Sequence, residues 1–156
     1  MPEKETLRRA QEDAREGKSP STQAGEFVRE EIDHIREGKH GATSAKQAIA
    51  IGLSKARRAG VKLPPPKVGT ASAQIRKKAE RELEIGRSGT KKKPSAKRSR
   101  AVENALKKKG HAAASHAALS KHAKQATGKR SSSSRSQSAK KAARTRAYIR
   151  GSRTQK

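Results

Sequence analysis

Residues 22–60 read TQAGEFVREEIDHIREGKHGATSAKQAIAIGLSKARRAG, two apolar stripes at helical spacing joined by a six-residue link. In the first half Ala24, Phe27, Val28, Ile32 and Ile35 recur every three or four positions, the period of one helix face. In the second half Ala45, Ala48, Ile49, Gly52, Leu53 and Ala56 do the same, with Lys46, Gln47, Ser54, Arg57 and Arg58 on the other side. Ser44 followed by Gln47 is a capping-box pattern, which satisfies free amides at a helix start. Gly38 suits a helix C-terminus, Gly60 ends the second helix, and Pro64-Pro65-Pro66 forbids its return. Ala and Gly at 45, 48, 52 and 56 allow two helices to approach closely. The short link Gly38–Thr43 then predicts an antiparallel helical hairpin over residues 21–66. Its core is predicted to hold Phe27, Val28, Ile32, Ile35, Ile49 and Leu53. Glu31 intrudes on the apolar face. It must either pair with a base or reach to water, and the second is the simpler expectation. Ile51 lies off the stripe and suggests a second contact, with Val61 or Leu63. So few large side chains predict a hairpin that dimerises or settles on a partner.

Outward from the hairpin the pattern weakens. Residues 3–16 favour helix but contain one large apolar residue, Leu7, so residues 1–20 are predicted to form a solvated helix stopped at Gly17 and the Ser19-Pro20 turn. Within residues 67–86 a third helix aligns Ile75, Ala79 and Leu83, capped by Ser72 and closed by Gly86. Short helices are predicted at 96–109 and 116–126. Ser131–Ser134 reads as a linker. Residues 138–150 should turn helical once phosphates relieve their self-repulsion.

Leu, Ile, Val and Phe together number eighteen of 156 residues. Ordering a residue costs roughly 1.5 kcal/mol, and burying one large apolar side chain returns only about 1.5–3 kcal/mol. Most of the chain therefore cannot be held by a core of such residues. The predicted class is all-α: a small helical hairpin plus short isolated helices, with a largely disordered basic C-terminal tail over residues 87–156.

The charge is segregated. Residues 1–40 carry eight Lys/Arg and ten Asp/Glu, residues 41–86 carry ten and three, and residues 87–156 carry twenty-two and one, Glu103. The whole chain stands at +26 with a pI near 11.3. A charge of this size selects polyanionic partners. The clusters Lys55/Arg57/Arg58, Arg76/Lys77/Lys78, Lys91/Lys92/Lys93, Lys97/Arg98/Arg100, Lys107/Lys108/Lys109, Lys129/Arg130 and Lys140/Lys141/Arg144/Arg146/Arg150 are the candidate phosphate contacts. Docking on phosphates releases condensed counterions, so half of the tail cations would give a log–log salt slope of about −10. Sequence-specific reading would need residues 45–59 as a recognition helix, and Lys46, Gln47 and Arg58 are ordinary exposed-face residues. Base stacking needs aromatic platforms, and Tyr148 alone is not one.

Other chemistries find little footing. There is no cysteine, and no two of His34, His40, His111, His116 and His122 stand at i, i+4, so no metal site is expected. No phosphate-cradling loop or nucleophile elbow is present, so neither an enzyme nor a cofactor is expected. No apolar run can span a bilayer, and the basic stretches lack an apolar face to embed in an anionic membrane surface. Without a signal peptide, the expected location is the cytoplasm or the nucleoid.

The string SAKQAIAIGLSKARRAG at Ser44–Gly60, preceded by VREEIDHIREGKHG at residues 28–41, resembles an uncharacterised family of small basic bacterial proteins. The likeness covers roughly residues 21–66 and implies no particular activity. The stretch from Lys91 onward resembles the tails of linker histones and linker-histone-like bacterial proteins in composition. The winged-helix domain of linker histones has no counterpart here. The expected function is non-sequence-specific binding of nucleic acid, DNA first, in a nucleoid-associated or histone-like role. The alternatives are RNA or ribosome association, and a protein-recruiting hairpin with a generic polycationic tail.

Overall fold

Caps and propensity place the helices, and small residues decide how they pack. A computed structural model describes residues 2–89 and 95–153, with side chains as far as residue 147. The chain is all-helical, with no strand among the described residues. Its helices are α1 (Lys4–Arg15), α2 (Pro20–Arg36), α3 (Ala45–Arg58), α4 (Ala73–Ser88), α5 (Ala96–Lys107), α6 (His116–Gly128) and α7 (Ser132–Arg153), with a 3₁₀ turn at Ala112–Ala114. It divides into two units, residues 1–119 and 120–156.

In the first unit α2 and α3 pack against each other, α1 lies on α2, and α4 on α3. Pro20 starts α2 at its first turn, where its missing N–H and fixed φ suit a helix. Ser44 caps α3 by accepting from the Gln47 N–H at 3.2 Å. The Gln47 side chain accepts from the Thr43 N–H at 2.7 Å, one residue earlier than the reciprocal bond of a capping box. Gly52 explains the closeness of α2 and α3. A Cβ there would stand 2.6 Å from the Val28 Cα and 2.9 Å from the Phe27 carbonyl oxygen.

The core has two apolar clusters. One gathers Ala10, Ala24, Phe27, Ala56 and Val61, with Leu7, Leu53 and Leu63 against it. The other gathers Ile32, Ile35, Ala42, Ala48, Ala113 and Ala114, with Val28 and Leu119 against it. Of the six predicted core residues, Phe27, Ile32 and Ile35 are buried and Val28 and Leu53 are half-buried at the clusters' margins. Ile49 is half-buried and joins neither cluster, because the alanine and glycine face of α3 takes the inner position. Val61 and Leu63 pack beside Phe27 and Ala56, while Ile51 is half-buried outside both clusters.

Four further expectations are corrected. The helix at residues 1–20 is not solvated: Thr6 (1 % exposed), Ala10 and Asp13 form a buried face, and small side chains let α1 lie close to α2. α4 does not close at Gly86 but runs to Ser88, with Gly89 left-handed at φ 62° as its cap. A Cβ on Gly86 would meet the Arg57 carbonyl oxygen at 2.1 Å, so that glycine serves close approach. Residues 95–119 do not trail away as a tail. Ala113 and Ala114 are buried beside Ile32 and Ile35, and the Gly41 N–H donates to the Leu106 carbonyl at 3.0 Å. The Arg36 Nε donates to the Ala114 carbonyl at 3.0 Å. The Ser131–Ser134 linker instead opens a helix, with the Ser134 N–H donating to Ser131 Oγ at 3.2 Å.

Candidate functional site

The candidate phosphate contacts divide by environment. Arg57 is withdrawn from the set. It is 7 % exposed on the α4-facing side of α3. Its guanidinium donates to the Leu63 carbonyl at 3.3 Å and lies 3.8 Å from Glu82. Burial pulls its pKa down and Glu82 partly restores it. It is a brace for the chain that leaves α3, with its donors committed inward. Arg58 is exposed on the same helix, its Nε donating to the Ser54 carbonyl. On α4, Lys77 and Lys78 are exposed and Arg76 is half-buried. On α5, Lys97, Arg98 and Arg100 are exposed, and Lys107 pairs with Glu103 at 2.7 Å across one helical turn. Such exposed pairs are weak and yield readily to a phosphate. Lys108 and Lys109 are exposed just beyond. Lys91, Lys92 and Lys93 lie outside the described residues, as does the side chain of Arg150.

The second unit contains the densest charge. Residues 120–156 carry twelve Lys/Arg and no Asp/Glu. Every Lys and Arg described there is exposed, including Lys140, Lys141, Arg144 and Arg146 on α7. At 100° per residue these four spread around the helix rather than forming one stripe. Arg130 bonds to the hydroxyls of Ser134 and Ser138, which orders its guanidinium without neutralising it. No helix of the described residues is long and apolar enough to cross a membrane.

A different set of ionisable groups is buried in the hairpin. Glu31 is 0 % exposed, its carboxylate 2.7 Å from Lys55 Nζ and 3.3 Å from His40 Nε2. The expectation that Glu31 reaches water is therefore corrected, because α3 brings Lys55 beneath it. Neither carboxylate oxygen has a hydrogen bond of good geometry, close as Lys55 and His40 are. Lys55 also contacts Glu30 Oε1 at 3.2 Å, and Glu30 Oε2 accepts from the Glu3 N–H at 3.1 Å. Burial raises the Glu30 pKa, but the nearby Thr6 hydroxyl, the Glu3 N–H and Lys55 together outweigh it and hold the carboxyl below its ordinary value. His34 Nε2 meets Glu3 Oε1 at 2.8 Å, and the His34 and His40 rings stand edge to face with centroids 6.2 Å apart. Beside them lies a recess of about 110 Å³, lined in part by Glu3, Glu30, Asp33 and His34. That is well below the roughly 300–1,000 Å³ of a small-molecule pocket.

The sequence reading missed this cluster. Glu31 and His34 stand at i, i+3, an inward-facing Glu-x-x-His pattern known from metal-binding helix bundles. His40 joins them only because the link after α2 turns back, which spacing alone does not reveal.

Residues 17–67 match a family of unknown function, DUF6496. The match spans α2, the link and α3, a third of the chain. No curated protein and no solved structure matches.

Proposed function

We propose that this chain binds nucleic acid without sequence preference, through phosphate contacts made mainly by residues 120–156, and that duplex DNA is its principal target. The observation that carries this reading is the twelve cations of that stretch, unaccompanied by any acid and exposed wherever described. Exposed cations around a polar helix suit a polyanion that wraps or lies along it, since each neutralised phosphate releases a counterion. The same residues offer no packed face, so α7 draws its order from such contacts and is largely unfolded without them. On the first unit Lys77, Lys78, Lys97, Arg98, Arg100, Lys108 and Lys109 are further exposed cations. The hairpin is then a folded platform, not the reader. A nucleoid-associated, histone-like role in the cytoplasm of a bacterium follows from this reading, and a catalytic role does not.

The test compares the full chain with a variant carrying Lys140→Gln, Lys141→Gln, Arg144→Gln and Arg146→Gln, on duplexes of unrelated sequence. The reading expects equal weakening on every duplex and a salt slope shallower by about 3–4, roughly 0.9 for each lost cation. An unchanged affinity, or a loss confined to one sequence, contradicts it. Preference for duplex RNA at matched charge would move the target from DNA to RNA.

A further inference from the structure

We infer that Glu31, His34 and His40 form a binding site for one divalent transition-metal ion, zinc being the best fit. One ligand atom of each residue lies within 4.8 Å of the other two. Imidazole and carboxylate donors suit zinc, and three such ligands plus one water make a familiar four-coordinate set.

The hydrogen bonds around the two rings favour metal over simple packing. A carbonyl oxygen can only accept, so the 3.3 Å contact of His40 Nδ1 with the Gly41 carbonyl places the ring proton on Nδ1. Nε2 of the neutral ring then turns its lone pair toward Glu31 Oε1, 3.3 Å away. Two lone pairs facing one another need a cation between them. On a tetrahedral zinc with ligands about 2.0–2.1 Å out, neighbouring ligand atoms lie about 3.3 Å apart. His34 likewise has one ring nitrogen engaged by an acceptor. Its Nε2 donates to the Glu3 carboxylate at 2.8 Å, which leaves Nδ1 as the nitrogen with a free lone pair. Metal-bound histidines ordinarily donate their second N–H to a carboxylate or a backbone carbonyl, and here one ring has each. A proton between His40 and Glu31 would not call for a second oriented imidazole.

Glu31 supplies the independent sign. Its carboxylate is fully buried and has no hydrogen bond of good geometry. Lys55 stands 2.7 Å from Oε2, which leaves Oε1 on the histidine side. A metal at Oε1 would complete a group that the protein itself leaves short. Ligand atoms that lie within 4.8 Å of one another draw in to roughly 3.3 Å around a tetrahedral zinc by side-chain movement. The ion would tie the last turn of α2 to the link that leads into α3, and through Glu3 would steady the start of α1.

The test titrates the full chain with Zn²⁺ and Co²⁺ in chelator-treated buffer at neutral pH, by calorimetry and by the Co²⁺ visible spectrum. The expected result is one ion per chain, with the intense visible bands of four-coordinate Co²⁺ and a raised thermal midpoint. Glu3→Gln should weaken binding about 10–100-fold, as loss of an orienting partner does, and His34→Gln or His40→Gln by more. His122→Ala should leave it unchanged. Undiminished affinity in both histidine variants overturns the site. Should those variants lose their helical signal, X-ray absorption of the zinc-loaded wild type decides. Two imidazoles and a carboxylate around one zinc support the site; fewer than two imidazoles, or no stoichiometric uptake, overturns it.

Discussion

At the scale of single residues, small side chains are as informative as large ones. Gly25 and Gly52 are both interior helix glycines, and the sequence does not distinguish their roles. A Cβ at Gly25 would meet nothing within 4 Å, whereas one at Gly52 would press on the Val28 backbone. Gly25→Ala is therefore expected to stabilise the fold by about 0.5–1 kcal/mol through helix propensity. Gly52→Ala should lose that gain and more, for a net cost of about 1–3 kcal/mol as α2 and α3 are forced apart. Urea unfolding of the two variants checks both signs. Charge at this scale was only half legible. Arg57 and Lys55 look like surface bases in the string KARR, yet one is buried against the Leu63 carbonyl and the other sits under two acids. Glu30 gives the acid prediction. Its folded pKa lies below the ordinary 4.5, so it contributes stability above that pH, lost as pH falls through the folded value. The thermal midpoint should drop below about pH 4.5, and Glu30→Gln should make that drop shallower. An unaltered acid profile in the variant would assign the sensitivity to other carboxyls.

At the scale of elements, periodicity located α2, α3 and α4 because apolar residues recur in each at helical spacing, although the inner face of α3 is alanine and glycine and Ile75 of α4 is exposed. It could not see α1 dock, since Thr6, Ala10 and Asp13 carry no hydrophobic period. Nor could it see that His111-Ala112-Ala113-Ala114 is a core element. Three alanines look like filler in a basic stretch, but Ala113 and Ala114, without bulk, fit against Ile32, Ile35 and Ala48. Ala114 is 0 % exposed, so Ala114→Leu should overpack the site and cost about 1–3 kcal/mol. The matching change at exposed Ala112 should be near neutral. Equal, negligible effects at both positions would mean that residues 95–119 do not pack on the hairpin. The Glu31–His34–His40 cluster lay beyond sequence reading for a related reason. The backbone bonds from Gly41 and Ala42 to the Leu106 and Gly110 carbonyls hold the link that carries His40, and those partners are some seventy residues away.

At the scale of the whole molecule, the division of charge was the most legible feature of all. Acids are concentrated in the first forty residues, where α1 and α2 use them in ion pairs such as Arg9–Glu26 at 2.8 Å. They vanish after Glu103, and the second unit is left with cations alone. A composition this poor in large apolar residues suggested a core ending near residue 66. Alanine packing carries the first unit to residue 119 instead, without adding to the count of Leu, Ile, Val and Phe. The functional proposal rests on the second unit, and counterion release gives it a numerical form. The measurement that tests it most directly is the affinity of the full chain for duplex DNA across a range of salt concentrations. With between half and all of the twelve cations in residues 120–156 engaged, log Kd should change with log salt by a slope of magnitude about 5–11. A slope near zero, or no binding at about 0.15 M salt, would contradict the phosphate-binding account.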